Sequence, residues 1–338
     1  MRKSAAGSRK KKIWVIAAVA FVIAVAVTAG IWKVAQSGHS IRAGKTGVYP
    51  NIAAAKIVDG GRTVQYKGQT YEYEDNNINI LCVGVDSRGA DRDVGQADML
   101  ALLVMNTATG EIKCIDINRD TIAPVKVFGV AHKYITTQDI QVALSFAYGR
   151  NPAEGRELVS DSVSQLLGGI PVHACVSLDF DGIGVLNSVA GGVRVTAIQD
   201  VGKAGITEGE AVTLTDEQAV YYVTERDSKS SEIGTNAPRM DRQKQYILGL
   251  SDILREKIRK KPWKITGMYK QMMPYISTDL TKMQIIYLAW KYSRSSLSQD
   301  DIYELPGRYD RTGYYDEYKV DDKKMTDMIL DVFYREVK

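Results

Sequence analysis

Short apolar runs alternate with segments of helical spacing through most of the chain. The runs predict β-strands, and several carry so few polar residues that they should be covered on both faces. They lie at residues 78–86, 100–105, 112–118, 172–178 and 193–197. Apolar residues three or four positions apart predict helices elsewhere. These lie at residues 139–148, 153–167, 181–190, 216–223, 238–260, 281–292 and 322–337. Interleaved strands and helices predict an α/β protein, an α/β/α sandwich with a central mixed sheet.

The run from Ile13 to Trp32 differs from the others because it holds twenty successive uncharged residues. A helix of that length spans about 30 Å, the thickness of the hydrocarbon core of a membrane. The apolar regions of cleaved signal peptides are shorter, at about 7–15 residues. We therefore expect one N-terminal transmembrane helix at 13–33, preceded by a cytoplasmic basic tail at 1–12. Everything beyond the helix then lies outside the cytoplasm.

Two regions are expected beyond the membrane. Residues 34–75 are small and polar at first and then predict a short hairpin around Lys67-Gly68-Gln69, as in an extracytoplasmic stalk. Residues 76–338 predict a single catalytic domain. Cys82 and Cys114 lie in apolar runs and are expected to be buried free thiols, with a disulfide between them as the alternative if their strands are neighbours.

The distribution of charge excludes some functions. The net charge is +4, and residues 1–12 alone contribute six basic side chains and no acid. The remainder of the chain is therefore close to neutral, which argues against a nucleic-acid partner. A domain outside the cytoplasm also cannot draw on cytosolic ATP.

Charged residues are concentrated where the predicted strands end. Asp86 ends the first strand, Asp98 precedes the second, and Arg119 and Asp120 follow the third. Strand ends of an α/β sheet share a rim at which such folds bind ligands. Two carboxylates without histidine favour Mg²⁺, and arginine favours phosphate. The alternative is that these side chains form surface salt bridges.

A second group of polar residues lies on one face of the predicted helix that starts near Pro238. Arg239, Arg242 and Gln243 share this face. Cations near a helix N-terminus oppose the helix dipole, and a bound anion would reverse that cost. Arg226 precedes a polar loop and is a weaker candidate.

Six segments carry these residues in an order and spacing that resemble the LytR-CpsA-Psr family of cell-envelope glycopolymer phosphotransferases. They are 79–88 (NILCVGVDSR), 97–98 (AD), 117–121 (INRDT), 146–149 (FAYG), 190–193 (AGGV) and 239–243 (RMDRQ). The resemblance implies a membrane-anchored enzyme of a Gram-positive type of envelope. Such enzymes move a glycopolymer, for example teichoic acid or capsule polysaccharide, from an undecaprenyl-pyrophosphate carrier to peptidoglycan. It also implies a hydrophobic tunnel for the polyprenyl chain.

The resemblance further implies roles for individual residues. Asp86 and Asp98 fall on the Mg²⁺ ligands, and Arg119, Asp120 and Asp98 are the expected catalytic residues. The expected substrate-binding residues are Arg88, Arg119, Arg226, Arg239, Arg242 and Gln243.

The chain departs from the family pattern at three positions where cations are common. Gln96, Gln141 and Thr224 occupy them. Each replacement removes a positive charge from the expected phosphate site. Two rival functions therefore stay open at this point: a polyprenyl-pyrophosphate hydrolase, and a non-catalytic module that binds the carrier lipid.

Overall fold

The computed structural model describes residues 40–41, 49–52, 54–87, 94–226, 236–310 and 315–337. The predicted transmembrane helix at 13–33 and Arg88 lie outside the described residues. Within these ranges, no helix has both the length and the apolar composition needed to cross a membrane.

The strands include those predicted from the apolar runs and several that the apolar runs did not predict. They are β1 (Lys56–Ile57), β2 (Thr63–Tyr66), β3 (Gln69–Tyr73), β4 (Asn77–Asp86), β5 (Gln96–Asn106), β6 (Ile112–Ile117), β7 (Ile122–Phe128), β8 (Tyr134–Gln141), β9 (Ala174–Asp179), β10 (Arg194–Thr196), β11 (Ala211–Thr213), β12 (Ile276–Thr278), β13 (Ile302–Glu304), β14 (Gly307–Asp310), β15 (Glu317–Val320) and β16 (Tyr334–Val337).

Several helices begin at residues suited to cap them. The side chain of Asn151 accepts a hydrogen bond from the N–H of Glu154, and Thr215 and Thr281 each form a capping box. The helices are α1 (Ala143–Ala147), α2 (Pro152–Leu166), α3 (Asp181–Ala190), α4 (Asp216–Thr224), α5 (Ala237–Lys260), α6 (Ile265–Met272), α7 (Lys282–Lys291) and α8 (Asp322–Phe333).

A six-stranded sheet forms the centre of the fold, in the order β12-β9-β4-β5-β6-β13. The pairs β4–β9 and β6–β13 are parallel, and the other neighbours are antiparallel. The predicted mixed sheet is therefore confirmed.

The two faces of the central sheet are packed differently. On the first, called here the packed face, Leu81, Leu100 and Leu102 are fully buried beneath α1, α2 and α8. On the second, called here the open face, Cys82 and Leu103 lie in the middle of the sheet and are only partly buried. Helix α7 covers the lower end of this face, and α3, α4 and α5 form a separate apolar cluster. Helices on both faces give the predicted sandwich.

The short hairpin of the stalk region forms as β2 and β3, but it does not stand apart from the domain. It pairs with β16 at the end of the chain, and its buried Val64 and Tyr73 belong to the main core. This part of the region at 34–75 is thus packed on the catalytic domain.

Two helix predictions were partly wrong. The segment at 139–148 begins as the end of β8 and becomes helical only at α1, because residues 134–141 pair with β7 in a hairpin. This segment contains the β-branched Ile135, Thr136 and Thr137, which favour strands. The segment at 322–337 ends its helix at Phe333, after which β16 pairs with β3.

The three cysteines are free, as the sequence predicted. Cys82 lies opposite Ala101 on β5, and Cys114 lies opposite Leu103 on the other side of β5. The alternative of a disulfide between Cys82 and Cys114 fails because β5 separates their strands. The sheet is therefore not cross-linked by them.

Asn187 connects three elements beside the open face. Its Nδ2 donates to the carbonyl of Leu214 and to Oδ1 of Asp216, each at 2.9 Å, and its Oδ1 accepts from the N–H of Val193 at 3.0 Å. The residue is 1% exposed. We predict that Asn187→Ala lowers the free energy of unfolding by about 2–4 kcal/mol, because buried polar groups lose their partners. Chemical denaturation measures this. The neighbouring exposed variant Ser188→Ala should change it by less than about 0.5 kcal/mol, and equal losses would contradict the assignment.

Candidate active site

Asp98 occupies an irregular position in the pairing of β4 with β5. Asp86 lies opposite Gln96 and Val85 opposite Ala97, whereas Gly84 lies opposite Met99. Asp98 is therefore the extra residue of a β-bulge. Bulges bend a strand and redirect a side chain, and they are common beside active sites. Here the bulge presents a carboxylate at the rim of the sheet.

Three arginines converge on the carboxylate of Asp98. Arg119 forms a salt bridge with Oδ1 of Asp98. Arg226 lies 3.4 Å from Oδ2 through its Nη2, and Arg239 lies 3.3 Å from the same oxygen through its Nη1. Arg239 also donates to the backbone carbonyl of Asp98 at 3.0 Å. Asp98 is only 8% exposed, so this contact is largely shielded from water.

These arginines come from three separate parts of the chain. Arg119 follows β6, Arg226 follows α4, and Arg239 lies in the first turn of α5. The fold therefore brings residues 98, 119, 226 and 239 together, as predicted. Arg88 lies outside the described residues, so its predicted place in this group stays a prediction.

The positive charge around Asp98 is not fully balanced by it. Burial and the nearby Arg226 are the main causes that lower the pKa of Arg239 to about 10, against the opposing effect of Asp98. The buried Nε atoms of Arg119 and Arg239 have no hydrogen-bond partner among the described residues. Buried donors without acceptors are costly, and an anion bound at the rim could accept from them.

Neutral amides surround this group at two of the positions where cations were expected. Oε1 of Gln96 accepts a hydrogen bond from Nη2 of Arg119 at 2.5 Å. Nε2 of Gln141 donates to Oδ1 of Asp120 at 3.4 Å and to the carbonyl of Asp316 at 2.7 Å. Gln96 thus positions one site residue and Gln141 another. The third position, Thr224, is turned away from the rim and donates to the carbonyl of Val220.

Asp120 lies beside Arg119, with its Oδ1 3.6 Å from Nε of that arginine. Burial raises the pKa of the Asp120 carboxyl, although three nearby arginines act in the opposite direction. A carboxylate with a raised pKa is a better acceptor of protons near neutral pH.

Arg242 does not join the arginines at Asp98, which corrects the expectation that it contacts the ligand directly. Its guanidinium donates to the carbonyls of Tyr222 and Glu225, and Gln243 donates to the carbonyl of Val223 at 2.9 Å. These carbonyls lie at the C-terminal end of α4, where basic side chains stabilise a helix. Arg242 and Gln243 therefore fix the segment that carries Arg226.

A chain of side-chain amides joins the start of α5 to the end of β6. Nδ2 of Asn236 donates to Oδ1 of Asn118 at 3.1 Å, and Nδ2 of Asn118 donates to the hydroxyl of Tyr309 at 2.5 Å. This connection fixes Arg239 relative to Arg119. Asn118 lies inside a recognised motif. Nothing in the sequence marked Tyr309, which β14 carries to the rim.

The metal prediction rests on Asp86 and Asp98, which adjacent strands carry to the same rim. Among the described residues, no group of three or more histidine, cysteine or acidic side chains is arranged to hold a metal ion. Mg²⁺ needs fewer protein ligands than that, because it commonly takes one or two carboxylates together with substrate phosphate. The donor set of two hard oxygen ligands therefore fits Mg²⁺.

The open face supplies an apolar region that begins beside Asp98. Met99, Cys82, Leu103 and Val176 project from central strands and yet remain partly accessible. Burial nevertheless raises the pKa of the Cys82 thiol to about 12. The open face thus carries partly accessible apolar side chains beside the rim.

The chain is similar to several known proteins. A model of the LytR_cpsA_psr family matches residues 49–331. The polyisoprenyl-teichoic acid–peptidoglycan teichoic acid transferase TagU of Halalkalibacterium halodurans is 31% identical over 173 residues, which are 50% of this chain and 51% of that protein. The corresponding TagU of Bacillus subtilis is 26% identical over 255 residues, 74% of this chain and 75% of that one.

The chain therefore spans about half the length of the first relative and three quarters of the second. Among solved structures, TagT bound to LI-WTA superposes with a TM-score of 0.57 at 19% identity, over 76% of this chain and 89% of that one. This likeness shows a shared fold. Because the family model covers residues 49–331, most of the chain, the protein belongs to the LytR-CpsA-Psr family.

Proposed function

We propose that the rim binds a polyprenyl-pyrophosphate-linked glycopolymer and transfers it to peptidoglycan, with formation of a phosphodiester. The observation that carries the proposal is the convergence of Arg119, Arg226 and Arg239 on Asp98. The buried Nε donors of Arg119 and Arg239 have no partner among the described residues, and guanidinium groups of this kind are suited to phosphate oxygens. Two relatives named as teichoic acid transferases support a glycopolymer of the teichoic acid class as the donor.

The charges at the rim support Mg²⁺ as a cofactor. Three arginines at the rim are matched by three aspartates, Asp86, Asp98 and Asp120, so the group has no net charge. A pyrophosphate diester carries two negative charges, and one divalent cation held by Asp86 and Asp98 would balance it. When bound, Mg²⁺ polarises the phosphoryl oxygens as a Lewis acid.

In this reaction, the arginines hold the pyrophosphate and stabilise the charge that develops on it. An acceptor hydroxyl attacks the phosphorus next to the sugar, and the bond from that phosphorus to the bridging oxygen breaks. Polyprenyl phosphate leaves with the bridging oxygen. The oxygens of Asp98 are committed to the arginines and to the proposed Mg²⁺, whereas burial raises the pKa of Asp120. Asp120 is therefore the better candidate to take the proton of the hydroxyl.

The polyprenyl tail is proposed to lie along the open face. Exposure of the tail to water would cost about 0.8 kcal/mol for each CH₂ group. The apolar side chains of Cys82, Leu103 and Val176 offer a shielded surface that starts at the rim. The membrane helix proposed at residues 13–33 would hold the domain beside the membrane outside the cytoplasm, where such a carrier is found.

The first prediction concerns the metal. Asp86→Ala should reduce Mg²⁺-dependent transfer by at least about a hundredfold, because the cation loses a ligand. Asp98→Ala should reduce it at least as much, because it also removes the counter-charge of the arginines at the rim. The measurement is transfer of labelled glycopolymer to peptidoglycan during Mg²⁺ titration of chelator-treated protein. Asp139→Ala, an exposed acid on β8, is the matched control.

Full activity of both variants without added Mg²⁺ would show that the metal assignment is wrong.

Release of polyprenyl phosphate should also depend on peptidoglycan. Equal release in its absence would favour the hydrolase, and binding of the lipid without any turnover would favour the non-catalytic module.

The second prediction separates the two arginines of α5. Arg242→Ala should lower the free energy of unfolding by about 2–4 kcal/mol, since the carbonyls at the end of α4 lose buried donors. Arg239→Ala should cost less stability, because it removes a cation that other arginines repel. It should instead weaken binding of a short-chain pyrophosphate-linked disaccharide by about ten- to a hundredfold. Denaturation and calorimetric titration measure the two effects, and the reverse pattern would refute the assignment.

The third prediction concerns the lipid. Cys82→Trp should fill apolar space on the open face and weaken binding of a long-chain donor by at least about tenfold, while a short-chain donor binds as before. Cys82→Ser, which hardly changes the volume, is the control. If Cys82→Trp folds and binds the long-chain donor as well as the wild type does, the tail lies elsewhere.

A further inference from the structure

A crevice opens at the rim on the side of the packed face. Its volume is about 480 Å³, and the side chains that give it chemical character are Ser87, Asp179, Asp181, Ser177, Phe146 and Tyr275. It is called here the rim crevice. It lies where β4 and β9 end, between the first turn of α2 and residues 274–277. None of the residues assigned to the pyrophosphate lines it.

The rim crevice adjoins the proposed metal site. Ser87 follows Asp86 directly, and its hydroxyl donates to the carboxylate of Asp179. The other oxygen of Asp179 accepts from the N–H of Asp181 at 2.9 Å. One wall of the crevice is thus built onto the strand that carries Asp86. A ligand bound there would lie next to the phosphate without occupying its arginines.

The rim crevice and the partly accessible apolar side chains of the open face lie on opposite sides of the central sheet. Val85 and Phe146, which line the crevice, belong to the core cluster of the packed face. Cys82 and Val176 belong to the open face. Two substrates can therefore reach the rim without collision. In phosphoryl transfer the attacking and leaving oxygens lie roughly in line with the phosphorus, so entry from opposite sides suits the reaction.

The chemistry of the crevice differs from that of the arginine group. None of the described residues that line it is basic, and Asp179 and Asp181 are acidic. Two carboxylates repel a phosphate-rich polymer but accept hydrogen bonds from hydroxyl groups, as serine hydroxyls also do. Phe146, Tyr275 and the neighbouring prolines provide apolar surface. This combination suits a neutral, hydroxyl-rich ligand with apolar faces, which describes a sugar.

We propose that the rim crevice is the acceptor site and binds neutral sugar units of a glycan strand adjacent to the unit that reacts. The proposal rests on the proposed function and adds the place where its second substrate binds. The donor is held by the arginines of the rim, with its tail on the open face, and the acceptor by carboxylate, hydroxyl and aromatic groups on the packed face. The carboxylates of the crevice repel the phosphates of the donor and so keep it out of the acceptor position.

Direct binding tests the site without requiring turnover. The probe is a tetrasaccharide of N-acetylglucosamine, titrated against the full-length protein in detergent and followed by calorimetry. Asp181→Lys and Tyr275→Ala should each weaken binding at least about tenfold. Glu157→Lys is the matched control, since Glu157 is exposed and lines a neighbouring crevice instead. Thermal melts check folding. If Tyr275→Ala unfolds, the exposed Asp181→Lys decides the result.

Kinetics with both substrates give the second readout. In the crevice variants the KM for peptidoglycan strands should rise at least about tenfold, while the KM for the donor changes less than about twofold. Binding and KM values equal to those of the wild type would overturn the acceptor site. If the wild type binds the tetrasaccharide and the variants do not, but no transfer occurs, the proposed function fails and the glycan site stands.

Discussion

The site depends on one shared ion-pair network, in which the carboxylate of Asp98 accepts from three guanidinium groups in a shielded position. Removal of the Asp98 carboxylate would leave several neighbouring guanidinium groups without their counter-charge, which is costly in a shielded position. The network also joins parts of the chain that are far apart in sequence, since Arg119 and Arg239 belong to different layers of the sandwich. Asp98 therefore contributes both to the assembly of the rim and to its chemistry.

The rim is held by a second set of contacts that do not themselves face a ligand. Arg242 and Gln243 bind the end of α4 and so place Arg226, and Asn236 at the start of α5 binds Asn118 at the end of β6. Gln96 and Gln141 hold Arg119 and Asp120 with neutral amides. At these two positions, where the family commonly has cations, the amides instead form hydrogen bonds with the charged residues of the site.

The two faces of the central sheet differ in how completely they are packed. The packed face provides rigidity, because its leucines are fully buried under three helices. The open face is packed less completely, since Cys82 and Leu103 stay partly accessible in the middle of the sheet.

The sequence by itself determined the fold class, the central strands and the identity of the residues that meet at the rim. It could do so because long apolar runs define buried strands whatever surrounds them, and because Asp86, Asp98, Arg119 and Arg239 lie inside or beside recognisable motifs. Local signals failed where pairing partners were distant. Residues 134–141 became a strand by pairing with β7, and residues 334–337 by pairing with β3. Only the tertiary structure decided that Asp98 is a bulge residue and that Arg242 binds backbone carbonyls. The pairing register and the position of the end of α4 set these contacts, and neither can be read from the spacing of residues along one segment.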